Sequence, residues 1–156
     1  MLSNNVTRML EARKIRFQAF EVPAEKLSAL EVADILKIPP DDVYKTIVAK
    51  RGKPGKPILA VVPGPREVDT IKLAAALDEK KVFITSLNEA EGMTGLQAGG
   101  ISPLALINKG FQVVIDVSAQ QKETILVSAG QRGLQVRLNA ADLVKLSNGR
   151  FSDIAG

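Results

Sequence analysis

The sequence predicts an α+β fold in one domain spanning 1–156, a mixed, mostly antiparallel sheet with helices around it. Three observations carry this. Runs of helical and of strand periodicity are interspersed without the regular βαβ alternation that builds a parallel sheet. Two turn-former clusters, Arg51-Gly52-Lys53-Pro54-Gly55-Lys56 and Ala129-Gly130-Gln131-Arg132-Gly133, each join neighbouring strand-like runs as hairpins. No internal repeat interrupts the 156 residues, and with 46% of them hydrophobic the chain can bury roughly two thirds of its unfolded surface.

The elements follow in order. Asn4 or Asn5 caps a first helix running to about Lys14, with Val6, Met9 and Leu10 on one face. Phe17 to Val22 reads as a short strand. Ser28 and Glu31 form a capping box, Ala29, Val32, Ala33 and Leu36 supply the helical stripe behind it, and Pro39-Pro40 ends that helix. Val43 to Lys50 alternates between two apolar faces and pairs through the basic turn with Pro57 to Pro63, a hairpin at or near the centre of the sheet. Asp69 caps a third helix through Leu77, with Ile71, Leu73, Ala74 and Leu77 expected inward. Val82 to Ile84 is a brief strand, and Ser86 caps a helix to about Glu91. Gln112 to Asp116, Glu123 to Ser128 and Leu134 to Leu138 are strand-like, Asn139 caps a last helix from Ala140 to Leu146, and the tail beyond is expected to lack structure.

Two stretches stand out. Lys45 lies within an otherwise apolar strand and shares a face with Val43 and Ile47, so its ammonium needs an anion, carbonyl groups or a wet cleft. A lysine near a strand's start can instead reach water from the sheet's rim. Glu91 to Leu104 holds four glycines and Pro103, and breaks both periodicities, while Met93, Leu96, Ile101 and Leu104 argue against disorder.

The composition excludes several chemistries. There is no cysteine and no histidine, which removes disulfides, thiol nucleophiles, Ser-His-Asp triads and the usual zinc ligands; no metal site and no cofactor is expected. The amino-terminal residues lack an apolar signal core and no run approaches a membrane span, so a cytoplasmic location and no membrane partner are expected. A net charge of +4 and a pI near 9.4 suit a polyanionic partner, but six aromatic residues are few for stacking along a single strand. Arg51, Lys53 and Lys56 at the hairpin tip could touch phosphates, although a charged tip is more often simply solvated.

Val43-Tyr44-Lys45-Thr46, Gly99-Gly100-Ile101-Ser102-Pro103-Leu104, Val114-Ile115-Asp116 and Val127-Ser128-Ala129-Gly130 with Arg132-Gly133-Leu134, in this order and spacing, resemble the YbaK family over nearly the whole chain. That family comprises free-standing aminoacyl-tRNA deacylases related to the editing domain inserted in bacterial prolyl-tRNA synthetase. The resemblance implies hydrolysis of the ester joining a wrong amino acid to transfer RNA, with the acceptor end of aminoacyl-tRNA as partner and prolyl-tRNA synthetase as a further one. Lys45 looks like the family's strand lysine, placed to meet the terminal adenosine or a phosphate. Gly100, with Gly99, Ile101, Ser102 and Pro103, looks like the loop whose backbone N–H groups face the scissile carbonyl. Thr46 and Ser128 match polar positions of the amino-acid pocket, and Phe20, Ala29 or Leu30, Gln135 and Asp116 are also expected to contact the substrate. Gln135 stands where cysteinyl-tRNA deacylases of the family carry an aspartate, and Ala105 replaces the usual glycine after Pro103-Leu104.

Ester hydrolysis needs an attacking water and stabilisation of the oxyanion, and glycine backbone can approach a carbonyl closely enough to supply the second. No side chain is an obvious general base. Asp116 is the best carboxylate candidate, with a strand-end cap as its plain structural role, so the attacking group is expected to be water or a group of the substrate itself. Ser102 lacks a base for nucleophilic attack and has bracing of the turn before Pro103 as its structural role. The competing class is a module that binds an amino acid, a nucleotide or a tRNA end without turnover.

Overall fold

The computed structural model describes residues 2–156. Among these residues eight strands divide between two sheets: a five-stranded one ordered β4-β2-β3-β5-β8 and a three-stranded one ordered β1-β7-β6. The strands are β1 (Phe17–Glu21), β2 (Tyr44–Arg51), β3 (Ile58–Pro63), β4 (Val82–Ile84), β5 (Gln112–Asp116), β6 (Ile125–Ser128), β7 (Leu134–Leu138) and β8 (Arg150–Ser152). Pairing is mixed and mostly antiparallel. Only β3 with β5 and β5 with β8 run parallel, because the loops leading into β5 and β8 carry crossovers rather than tight turns.

The period-2 pattern of β3 shows how the layers form. Leu59 and Val61 join Tyr44, Val48, Val113 and Ile115 in the main core, which also takes Ile125, Val127, Leu134, Val136 and Leu138 from the smaller sheet. Ile58, Ala60 and Val62 point to the opposite face, where α3 (Thr70–Ala76) lays Leu73 and Ala74 over them. Both faces of β3 are therefore buried, as its uninterrupted apolar run requires. A third cluster sits where α2 (Ala29–Leu36) packs Val32 and Ala33 against Val43 and Leu126. An isolated parallel bridge, Val43↔Leu126, links the two sheets here.

Local signals fix the helix starts. Asn4 caps α1 (Asn5–Ala12) in a capping box with Thr7, and Ser28 caps α2 in one with Glu31. Asp69 accepts from Ile71 N and Lys72 N at the start of α3. Asn139 caps α5 (Ala140–Ser147).

Three expectations are corrected. Ile71 points out of α3 and is 81% exposed, since Leu73, Ala74 and Leu77 already fill the stripe facing the sheet. α4 (Leu87–Thr94) extends past Glu91 and through Gly92, and stops at Gly95, whose φ of 72° makes it the left-handed cap. The tail is not unstructured: Arg150–Ser152 forms β8, and Ile154 and Ala155 are fully buried against the α3 layer.

Candidate functional site

β4 pairs with β2 only at Ala49–Arg51, and the bridge to β6 comes at Val43. Between those contacts the edge of β2 is left open, and a cleft of about 190 Å³ forms there. Its walls come from four regions: Val43 and Tyr44–Thr46 at the start of β2, Leu27–Ala29 and Val32 at the start of α2, Ser128 and Gln135 of the smaller sheet, and Ala98, Gly99 and Ile101 of the glycine loop, with Leu87 also lining it. The volume is below the ~300 Å³ at which drug-sized pockets begin. It suits a small acyl group better than a whole nucleotide.

Lys45 stands at one side of the cleft with its side chain 23% exposed. Its ammonium donates to the Gly64 carbonyl at 3.1 Å and to Glu67 Oε1 at 3.1 Å. The antiparallel register sets Lys45 opposite Val62, so the chain turning after Pro63 brings Gly64 alongside. Gly64 must be small: a Cβ there would lie 2.8 Å from Ala29 Cβ, at the first turn of α2. Glu67 is 83% exposed, and its pairing with Lys45 is the solvent-facing kind worth at most ~1 kcal/mol.

The glycine loop supplies Ala98, Gly99 and Ile101 to the same cleft. Gly100 is turned away from the cleft. Its N–H donates to Gln97 O at 2.8 Å, and a Cβ on it would lie 2.9 Å from Gln131 Cα. Its smallness therefore serves packing against the 129–133 turn, which corrects the expectation that its own N–H faces a substrate carbonyl. Gly99 and Ile101 line the cleft instead, and among the described residues their N–H groups have no partner. Ser102 and Pro103 are buried behind the loop, with Ser102 Oγ accepting from Leu104 N at 3.1 Å. That bond braces the turn and leaves Ser102 out of reach of any ligand.

On the wall formed by the smaller sheet, Ser128 and Gln135 are cross-strand partners on one face. Ser128 Oγ donates to Gly99 O at 3.4 Å. Gln135 is 5% exposed, yet its side-chain amide makes no hydrogen bond among the described residues, and Thr46 Oγ1 is equally unengaged. Among the described residues no side-chain N or O atom is both fully buried and unpaired, so these two groups keep some access to the cleft's interior and are available to an occupant. Tyr44 lies in the floor, where burial pushes its phenol pKa up despite the 2.7 Å contact with Ser118 Oγ. It is a neutral hydrogen-bonding group, not a base.

Three assigned residues lie elsewhere. Phe20 pairs with Gln135 across β1 and β7, but its ring sits 5.4 Å from the Arg137 guanidinium and does not line the cleft. Leu30 is half exposed on α2, in a shallow depression with Ala33, Lys37 and Ile38, because Ala29 and Val32 occupy the helix face that meets the cleft. Asp116 is 1% exposed and lies outside the cleft; its carboxylate accepts from Ser118 N at 3.2 Å and from Ile154 N and Ala155 N at 3.0 Å each. Burial alone would raise its pKa, but these hydrogen bonds outweigh it and hold the carboxyl below its usual range. A carboxylate so occupied is a poor proton acceptor. Glu67, Glu91, Arg132 and Gly64 were not read from the sequence. Counting pairs back from the hairpin turn would have brought Gly64 beside Lys45; nothing local marks the other three.

The cleft of this α+β domain is thus lined by a lysine and by two loop residues whose N–H groups have no partner among the described residues. The chain belongs to the aminoacyl-tRNA editing domain family, whose model matches residues 24–146. Over 152 residues it is 39% identical to an Enterococcus faecalis protein named "Putative Cys-tRNA(Pro)/Cys-tRNA(Cys) deacylase EbsC", covering 96% of this chain and 92% of that one. Over 116 residues it is 28% identical to Staphylococcus aureus proline–tRNA ligase, covering 74% of this chain and 20% of the ligase. A solved structure described as "a putative trans-editing enzyme for prolyl tRNA synthetase" shares the fold with a TM-score of 0.81 at 21% identity, covering 100% of this chain and 99% of that one. Among the described residues, no helix is long and apolar enough to cross a membrane.

Proposed function

We propose that this chain is a trans-editing hydrolase that cleaves the ester of mischarged aminoacyl-tRNA, as a single editing domain acting in the cytoplasm, with proline tRNA as carrier and prolyl-tRNA synthetase as partner. The observation that carries this reading is that Lys45 and the loop residues Gly99 and Ile101, whose N–H groups have no partner among the described residues, line one cleft of about 190 Å³. The aminoacyl group enters the cleft, and Lys45 holds the nucleotide end through a phosphate or ribose oxygen. The loop N–H groups meet the charge that develops on the carbonyl oxygen. One such donor is worth about 3 kcal/mol, or roughly a hundredfold in rate. An aminoacyl ester is already activated, so positioning and oxyanion stabilisation suffice with water, or a hydroxyl of the terminal ribose, as the attacking group.

The pocket's composition narrows the substrate. No carboxylate lines it, and Gln135 and Thr46 offer neutral hydrogen-bonding groups, so the removed amino acid has a small, uncharged side chain. Cysteine, alanine and serine are the candidates.

Deacylation of cysteinyl-, alanyl- and seryl-tRNA(Pro) by wild type and Lys45→Ala tests this. Selective hydrolysis that the variant loses is the expected result. The absence of a carboxylate base in the cleft favours the second reading, a module that binds the tRNA end without turnover; tight binding of charged tRNA with no hydrolysis of any of the three esters would select it.

A further inference from the structure

Ala98 is gripped from two sides. Its N–H donates to Glu91 Oε2, at the end of α4, at 2.8 Å, and its carbonyl accepts from Arg132 Nε, in the 129–133 turn, at 2.8 Å. The Ala98 carbonyl and the Gly99 N–H belong to one planar trans peptide and so point in opposite directions. A guanidinium that fixes the carbonyl toward the 129–133 turn thereby fixes the N–H on the side away from that turn, in a residue that lines the cleft. The same charge polarises the peptide and makes its N–H a stronger donor. Gly100, seated directly on the Gln131–Arg132 backbone, brings the loop close enough for the contact.

We infer that Arg132 and Glu91 are positioning residues, which aim the Gly99 N–H at the reacting carbonyl without touching the substrate. This rests on the hydrolytic reading above. The clamp fits a transition-state role because it acts on a donor rather than on the binding walls: its loss lets the peptide plane rotate while Lys45, Thr46 and Gln135 stay in place.

The test is steady-state hydrolysis of the best aminoacyl-tRNA by Arg132→Ala, Arg132→Lys, Glu91→Ala and Glu91→Gln, together with backbone amide exchange at Ala98 and Gly100. The expected result is a kcat reduced by about 10- to 100-fold in Arg132→Ala, the range for a reacting group displaced by about 1 Å, with KM and melting temperature unchanged. Glu91→Ala falls less. Arg132→Lys, which restores a charged donor, and Glu91→Gln, which restores an acceptor, both recover most of the rate. In the two alanine variants, exchange at Ala98 and Gly100 accelerates. A kcat at the wild-type level, a rise in KM matching the fall in kcat, or no recovery in Arg132→Lys would overturn the inference. Should wild type hydrolyse none of the esters, the hydrolytic reading fails; amide exchange still decides the clamp, and unchanged exchange in both alanine variants removes it too.

Discussion

Lys45 and Asp116 are both charged residues in strands of the five-stranded sheet, and their surroundings could hardly differ more. Lys45 keeps part of its side chain in solvent and holds two partners, one of which, Glu67, is almost wholly exposed. Asp116 is sealed, with three backbone N–H donors on its oxygens and Arg66 3.8 Å away. A charge whose partners can be exchanged is open to a ligand; a charge whose lone pairs are filled by its own backbone belongs to the fold. Burial alone does not make the distinction, because Gln135 is nearly as enclosed as Asp116 and yet leaves its amide unspent in the cleft.

Asp116→Ala strands the Ile154 and Ala155 N–H groups and is expected to cost about 3 kcal/mol of stability, read as a lower denaturation midpoint, with kcat unchanged in the fraction that remains folded; a specific loss of kcat would return Asp116 to the chemistry. Lys45→Ala is expected to do the opposite, lowering kcat/KM by roughly a hundredfold, about 2.7 kcal/mol, with little change in stability. Acid makes a third case. Because the folded pKa of Asp116 is depressed, its stabilising contribution is complete above the unfolded value near ~3.9 and is lost as pH falls through the folded value. Asp116→Asn should therefore flatten the stability profile below about pH 4 while leaving its shape near neutrality unchanged.

Smaller effects sharpen the same contrast. Gln135→Asp introduces an anion into the cleft and is expected to shift the preference among the three esters by about 1 to 3 kcal/mol, measured as a ratio of kcat/KM values. Glu67→Gln frees Lys45 from its exchangeable partner, and KM for charged tRNA should fall by roughly two- to fivefold, the worth of an exposed ion pair. In a Lys45→Ala background that gain should vanish; a gain that persists would mean Glu67 acts only as a nearby charge.

Much of this was legible in the sequence, where the information is local or periodic. The Ser28–Glu31 capping box, the hairpin through Arg51–Lys56 and the alternation of β2 and β3 were read from neighbouring residues, and with them the setting of Lys45 and Thr46. The resemblance to the editing family pointed to Ser128 and Gln135, and both line the cleft. What escaped depends on long-range contact. Arg132 meets Ala98 across 34 residues and Asp116 meets Ile154 across 38, and neither pairing leaves a periodic trace. The tail beyond Leu146 carries no periodic signal because β8 is only three residues long and the four after it are fewer than one period needs; Ile154 is held by a buried carboxylate and packed under α3, not by propensity. Gly100 was misread for a related reason. A glycine admits close approach on either of its sides, and only the position of the 129–133 turn decides which.

The cleft lies across the seam between the two sheets, which a single bridge at Val43↔Leu126 joins. Lys45 and Thr46 belong to one slab, Ser128 and Gln135 to the other. On the proposed reading the hold on the carrier rests on one slab, through Lys45, while contact with the amino acid is drawn from both, Thr46 on one side and Gln135 on the other. A descendant could acquire a taste for a different amino acid through β6 and β7 while inheriting Lys45 unaltered.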